Sequence, residues 1–222
     1  MNRSDALVEL SRRISALERP HPVRVAVDGV DAAGKTILAD ELARRLHLSG
    51  ERVIRASIDG FHNPREMRYR RGADSPDGYF QDSFDYDALK LLLLVPLGPE
   101  GNRIYRTSAF YFRTDSRAPS APLQAAPDSI LVLDGVFLFR PELLEFWDYK
   151  IFVHADFDTI LRRAVLRDQG LFGTAEQVEA RFRARYIPGQ KIYLERVHPQ
   201  SMADVVVENN FPDRPELIFP VR

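Results

Sequence analysis

The chain has 222 residues, with 31 basic against 32 acidic side chains, a net charge of -1 and 45% apolar residues. That balance excludes wholesale disorder and a fibrous architecture, and it provides no field that would make nucleic acid or an anionic membrane the main partner. No cysteine is present, which removes disulfides, thiolate nucleophiles and cysteine-based zinc sites together.

Leu7, Leu10, Ile14 and Leu17 recur at steps of three and four, predicting an amphipathic helix over the first twenty residues that ends at Pro20 and Pro22. Charges recur every few residues in this stretch, so it does not read as a signal peptide. Val23 to Asp28 is a β-branched run stopping at Gly29, and Leu38, Leu42 and Leu46 mark a helix ending near Gly50. A second strand is expected over Arg52 to Ile58. Residues 61–87 lose periodicity and read as a long functional loop, its aromatics arguing against disorder. Leu91 to Leu97 is the longest apolar run, far short of the roughly 20 residues a bilayer requires, and a cytoplasmic setting is the expectation. One or two strands are expected over Arg103 to Phe112, followed by a proline-spaced connector, Ala118 to Pro127. Ile130 to Asp134 and Lys150 to His154 are apolar enough for parallel strands covered on both faces. A helix through Asp168, broken by Gly170 and Gly173, precedes a charge-rich helical stretch from Glu176 to Arg196 interrupted at Pro188 and Gly189. Ala203 to Val207 closes the series. Strands alternating with helices predict an α/β fold with a mainly parallel sheet, as one domain over 1–222.

Gly29, Val30, Asp31, Ala32, Ala33, Gly34, Lys35 and Thr36 match G-x-x-x-x-G-K-[ST] between a strand and a helix. In such a P-loop the backbone N–H groups, including those of Asp31, Ala32 and Ala33, cradle phosphates. Lys35 offsets β/γ charge and the Thr36 hydroxyl ligates magnesium, so ATP and Mg²⁺ are the expected cofactors. The other lysines, Lys90, Lys150 and Lys191, lie in no Asn/Thr-Lys-x-Asp element, which disfavours a GTP switch. Ligands of open α/β sheets bind beyond the carboxyl ends of the strands. Asp59 and Asp134 stand at two such ends, Asp134 placed to hold magnesium and Asp59 to accept a hydroxyl proton or share the metal.

The stretch "IDGFHNPREMRYRRGADSPDGYFQDSFDYDAL", together with "LDGVFLFRPELLEFWDYKIFV", "FDTILRRAVLRD", "RYIPGQKIYLERVHP" and "ADVVVEN", resembles the uridine kinase and phosphoribulokinase group of P-loop kinases, in the same order. The resemblance implies a P-loop three-layer sandwich with a helical lid over about 168–190 and an acceptor-binding loop and hairpin insertion over about 60–117. It implies Asp59 as catalytic base and magnesium partner, Thr36 as the metal-binding hydroxyl and Asp82 as the carboxylate gripping ribose hydroxyls. Arg163 and Arg167 map onto the arginine-bearing lid over the nucleotide phosphates. The family's Tyr-Asp-Phe-x-Thr-His stretch stands here as Phe110 to Asp115, so its base-reading tyrosine and histidine become Phe110 and Asp115, with Arg113 or Arg185 as alternative readers. His62 is expected to touch the acceptor or to be structural, and Arg68, Arg70 and Arg71 to bind a substrate phosphate or to coat the loop.

The implied activity is transfer of the ATP γ-phosphoryl group to a hydroxyl of a small molecule, a nucleoside such as uridine or cytidine. The rivals are another small alcohol (a sugar, a sugar phosphate or a pantothenate-like compound) and, outside the enzymes, a regulatory module that hydrolyses ATP slowly. A homo-oligomer is left open.

Overall fold

The computed structural model describes residues 1–220; the expected domain runs to 222, and its last two residues lie outside the described part. Among the described residues ten strands are present: β1 (Val23–Gly29), β2 (Arg52–Ser57), β3 (Ile104–Tyr105), β4 (Phe110–Tyr111), β5 (Ser116–Arg117), β6 (Leu123–Gln124), β7 (Ser129–Gly135), β8 (Tyr149–His154), β9 (Val205–Glu208) and β10 (Glu216–Ile218). Six of them form one sheet in the order β10-β9-β8-β1-β7-β2. All its pairings are parallel except that of β10, an edge strand that the sequence pattern did not announce.

Side chains alternate across a strand, and here both sets are apolar. Val25, Val27, Ile130, Val132, Ile151 and Val153 face a core closed by the Arg3–Ser15, Lys35–Leu48 and Phe157–Arg167 helices. Ala26, Leu131, Leu133 and Phe152 face a second core, filled by Phe80, Leu93, Phe137, Phe139 and Tyr193. Two cores on one central sheet make the expected three layers.

The register then sets the site. Val27 and Ser57 both pair with Asp134, and Gly29 pairs with Val153. The carboxyl ends of β1, β2 and β7 are therefore level, and the turns leaving them open on one side of the sheet.

Three expectations are corrected. The long loop over 61–87 contains short helices, including Pro76–Asp82, which starts because the Ser75 side chain accepts from the Gly78 amide and Pro76 fits the first helical position. The strands expected over 103–112 shrink to two residues each, because β3 and β4 pair only with β6 and β5 in separate two-stranded ladders and never join the main sheet. Pro188 and Gly189 do not interrupt the helical stretch. A wide π turn, Phe182–Tyr186, precedes the Ile187–Val197 helix, where Pro188 sits in the first turn and no amide is missed. Gly189 lies where an added Cβ would stand 2.8 Å from the Tyr79 ring and 2.9 Å from the Pro76 carbonyl oxygen, so the Pro76–Asp82 helix packs directly on it.

Candidate active site

The turn after β1 is built around backbone. Gly34 has φ 99°, and a Cβ there would meet Asn209 Nδ2 at 2.6 Å; on Gly29 it would meet the Val153 carbonyl oxygen at 2.3 Å. Only glycine fits either position. The Lys35–Leu48 helix starts directly from this turn, so its free N–H groups and positive end face the same hollow. Lys35 is buried, its Nζ donating to the Val30 carbonyl at 2.8 Å, and the Thr36 hydroxyl donates to Asp134 Oδ2 at 2.5 Å.

Asp134 is itself 2% exposed. Its Oδ1 has no hydrogen bond, although the Arg55 guanidinium stands 2.8 Å away as an ion pair. A buried carboxylate oxygen without an aligned donor, next to a hydroxyl oxygen, is a donor set that suits a hard divalent cation. Among the described residues no group of three or more acidic or histidine side chains is placed to hold a metal. A magnesium ion here would be held by Thr36 and Asp134 together with nucleotide phosphates, as the P-loop arrangement requires.

A cavity of about 530 Å³ opens over this floor. Asp31, Lys35, Thr36 and Asp134 line one part of it, Asp59, Phe84, Phe112 and Arg113 another, and Arg167, Asp168 and Leu171 also line it. Asp59 follows β2 in a single 3₁₀ turn (Ile58–Phe61). Asp59 keeps access to solvent, and the protein packed around it raises its pKa, His62 and Lys35 pulling it down while Asp134 and Asp31 push it further up. His62 donates through Nδ1–H to the Asp59 carbonyl oxygen at 3.0 Å, and its ring packs between Phe84 and Phe112 at centroid distances of 4.6 and 4.9 Å. It therefore backs the aromatic wall and fixes the turn that carries Asp59, and is not one of the cavity-lining residues.

Four of the residues expected to touch ligand are elsewhere. Asp82 is 2% exposed and does not line the cavity; Arg70 Nη2 donates to its Oδ1 at 2.5 Å and Arg71 Nε to its Oδ2 at 2.8 Å. Against the burial that would raise it, these guanidiniums hold its carboxyl below the usual range. Both oxygens are engaged, and the buried carboxylate has no face on the cavity with which to meet a diol. Phe110 is buried on β4, and Asp115, at the hairpin tip, accepts from the Arg65 amide at 2.7 Å and from Arg68 Nη2 at 3.0 Å. Arg163 donates Nη2 to the carbonyls of Asn209 and Asn210 at 2.8 and 3.0 Å, and Nη1 to that of Ala33 at 3.5 Å. It braces the phosphate-binding turn from behind. Arg167 does line the cavity, forked onto Asp168 through bonds of 2.6 and 2.9 Å.

Other residues bind the layers around the site into one body. Asp31 Oδ2 accepts from Tyr79 Oη at 2.5 Å and from Gln190 Nε2 at 2.7 Å, tying the phosphate turn to the acceptor-side helix and to the helix beyond the π turn. Arg185, 2% exposed, donates to the carbonyls of Arg68, Gly72, Ala73 and Ser75. It anchors the loop and has no side left for a base. Sequence reasoning missed Phe84, Phe112 and Asp168 as cavity walls; residues two apart share a strand face, and Phe112 parts from Phe110 only because β4 ends at Tyr111 and the chain turns there, which the spacing did not announce.

The model of the Phosphoribulokinase / Uridine kinase family matches residues 25–213. The chain belongs to this family. Uridine-cytidine kinase B of Dictyostelium discoideum is 29% identical over 148 residues, covering 67% of this chain and 59% of that protein. The uridine kinase of Saccharomyces cerevisiae is 27% identical over 157 residues, covering 66% of this chain and 29% of that one. The match thus spans well under two thirds of these relatives. Among solved structures, a possible uridine kinase from Bacillus stearothermophilus superposes with a TM-score of 0.72 at 22% identity, over 91% of this chain and 97% of that one. D-glycerate 3-kinase from Cryptococcus neoformans gives 0.54 at 14% identity, over 85% and 86%. At such identities these two likenesses establish the fold. As a member of the phosphoribulokinase and uridine kinase family, the chain carries that family's P-loop α/β fold. No helix among the described residues is long and apolar enough to cross a membrane.

Proposed function

We propose that the protein transfers the γ-phosphoryl group of ATP to the hydroxyl of a small acceptor bound between Asp59 and the Phe84–Phe112 wall, with a nucleoside such as uridine or cytidine as the acceptor its relatives' names support. The observation that carries this reading is the single cavity shared by the phosphate-binding turn and Asp59. Bound ATP with magnesium at Thr36 and Asp134 supplies the phosphoryl group and offsets its charge. Asp59 takes the proton of the acceptor hydroxyl as the new O–P bond forms, a raised pKa bringing the carboxylate closer to a useful base. Lys35 and the helix N-terminus stabilise negative charge on the departing side. Residues 168–190, read as the lid, bring Asp168, Gly170 and Leu171 to the cavity wall and help to exclude water there.

A second reading, another small alcohol such as a sugar, a sugar phosphate or a pantothenate-like compound, is favoured by one observation: Asp82, the expected diol reader, is sealed by Arg70 and Arg71. ADP release measured with and without a panel of acceptors tests the proposal. Acceptor-stimulated release is the expected result. A slow rate indifferent to every acceptor would instead favour a regulatory module that hydrolyses ATP.

A further inference from the structure

We propose that Arg55 is a positioning residue of the metal site: it sets a positive charge beside Asp134 without a hydrogen bond, so that this carboxylate holds a divalent cation weakly by itself and firmly only together with nucleotide phosphates. This rests on the assignment of Thr36 and Asp134 to magnesium and is independent of which acceptor is used. Arg55 pairs with Val132, and Ser57 with Asp134, across β2 and β7, so the side chains of Arg55 and Asp134 leave the sheet on one face. The Lys35–Leu48 helix covers that face, and Asp40 of this helix accepts from Arg55 Nε through Oδ1 at 2.8 Å. Nη1 donates to the backbone carbonyls of Ala56 and Val132 while standing 2.8 Å from Asp134 Oδ1. Both hydrogens of Nη1 are thus directed at backbone. Asp134 Oδ1 therefore has a cation beside it and yet no hydrogen bond.

A carboxylate only 2% exposed is costly to leave without a counter-charge, and the guanidinium supplies one in the nucleotide-free protein. The same charge opposes a second cation at Asp134, because like charges repel strongly where water is excluded. Nucleotide phosphates bring the negative charge and the oxygen ligands that overcome this repulsion. Removing the guanidinium acts on charge more than on shape. The Thr36 hydroxyl still donates to Oδ2 at 2.5 Å, and pairing with β1 and β2 still fixes the backbone of β7. Asp40 sets the strength of the effect, since its half-exposed carboxylate shares the guanidinium with Asp134. The metal should then enter and leave with the nucleotide.

Titration with Mn²⁺, the free ion followed by electron paramagnetic resonance with and without ADP, tests this. Without nucleotide, Arg55→Gln should bind Mn²⁺ about tenfold or more tightly than the native protein, while Arg55→Lys, which keeps the charge, should stay within about threefold. Native-like or weaker nucleotide-free binding by Arg55→Gln overturns the inference and leaves the metal site standing. So does a native protein that takes up Mn²⁺ as tightly without ADP as with it. Should Arg55→Gln not fold, Asp40→Asn decides, because it releases the guanidinium onto Asp134. Its nucleotide-free Mn²⁺ binding should weaken by about three- to tenfold, whereas Glu41→Gln, which removes a charge paired with Arg3 from the same helix, should change it by less than about twofold. Equal changes in these two variants overturn the inference. Absence of Mn²⁺ uptake with ADP, or uptake unchanged in Asp134→Asn, would remove the metal reading itself and the inference with it.

Discussion

The two ends of the cavity are built from different materials. The phosphate end is backbone: a turn whose glycines admit no side chain, a helix N-terminus, and a lysine and a threonine at the helix start. The acceptor end is side chains delivered by an insertion that contributes nothing to the main sheet, with Asp59 at its root. A backbone site tolerates little change and so carries a spaced motif, whereas a side-chain site on two-residue strands can be reassigned by turning a hairpin over. The comparison makes definite claims about what each end does when damaged.

The largest effect should follow from Asp59→Asn, which keeps the shape and hydrogen-bonding reach of the residue but removes the base. Turnover should fall by about 10² to 10⁴ with ATP binding little changed. Steady-state kinetics with nucleotide affinity measured separately would check it; unchanged turnover would reduce Asp59 to a turn residue. At the other end Lys35→Ala should lower turnover by about 10² to 10³, and its circular dichroism and melting should stay close to native because the side chain reaches into the cradle and bonds only the Val30 carbonyl. Near-native phosphorylation by that variant would contradict the assigned role of the cradle.

Legibility in the sequence follows the same division. G-x-x-x-x-G-K-T between a strand and a helix, and an acid after each of two strands, were enough to find Lys35, Thr36, Asp134 and Asp59, because parallel register brings strand ends level whatever the loops do. The acceptor side was not legible. Asp82 aligns with a diol-gripping carboxylate, yet Arg70 and Arg71, eleven or twelve residues earlier, close on it once the Pro76–Asp82 helix forms. Likewise Arg163 and Arg167 share a helix face, but only Arg167 reaches the cavity, since Arg163 finds three backbone carbonyls first. Neither outcome is coded in spacing; both depend on which neighbour wins a competition for the same donor.

Just before the phosphate turn Asp28 is fully buried in β1, with Tyr193 of the Ile187–Val197 helix donating to its Oδ2 and the Gly29 amide to its Oδ1 at 2.8 Å. Burial pushes its pKa up to about 6 against these donors. Because the folded value lies above the unfolded one, folding favours the protonated form. The stability this group contributes is present in full below about pH 4 and is lost as pH rises through about 6. Relative to Asp28→Asn, which cannot ionise, the native protein should therefore lose up to about 3 kcal/mol between pH 4 and pH 7. Urea unfolding of both proteins across that range would show it, and parallel stability curves would refute it.

The smallest effect tests whether the two ends are separable. Tyr79→Phe deletes one hydroxyl, the donor to Asp31 Oδ2, and leaves that oxygen the Gln190 amide at 2.7 Å. Losing one of two donors to a carboxylate should cost about 1 to 2 kcal/mol of stability. The phosphate turn keeps its other supports, because Asn209 Nδ2 still donates to the Ala33 carbonyl at 2.6 Å and Arg163 still reaches the same carbonyl, so KM for ATP should stay within about twofold of native. The Pro76–Asp82 helix, by contrast, loses its one side-chain bond to the turn, and Phe84 lies two residues beyond its end. The acceptor wall should loosen and KM for the acceptor should rise by about three- to tenfold, with kcat at saturation nearly unchanged. If both KM values rise together, Asp31 transmits strain in both directions and the two ends work as one unit; if only the acceptor value moves, the backbone site and the side-chain site are joined at Asp31 but independently built.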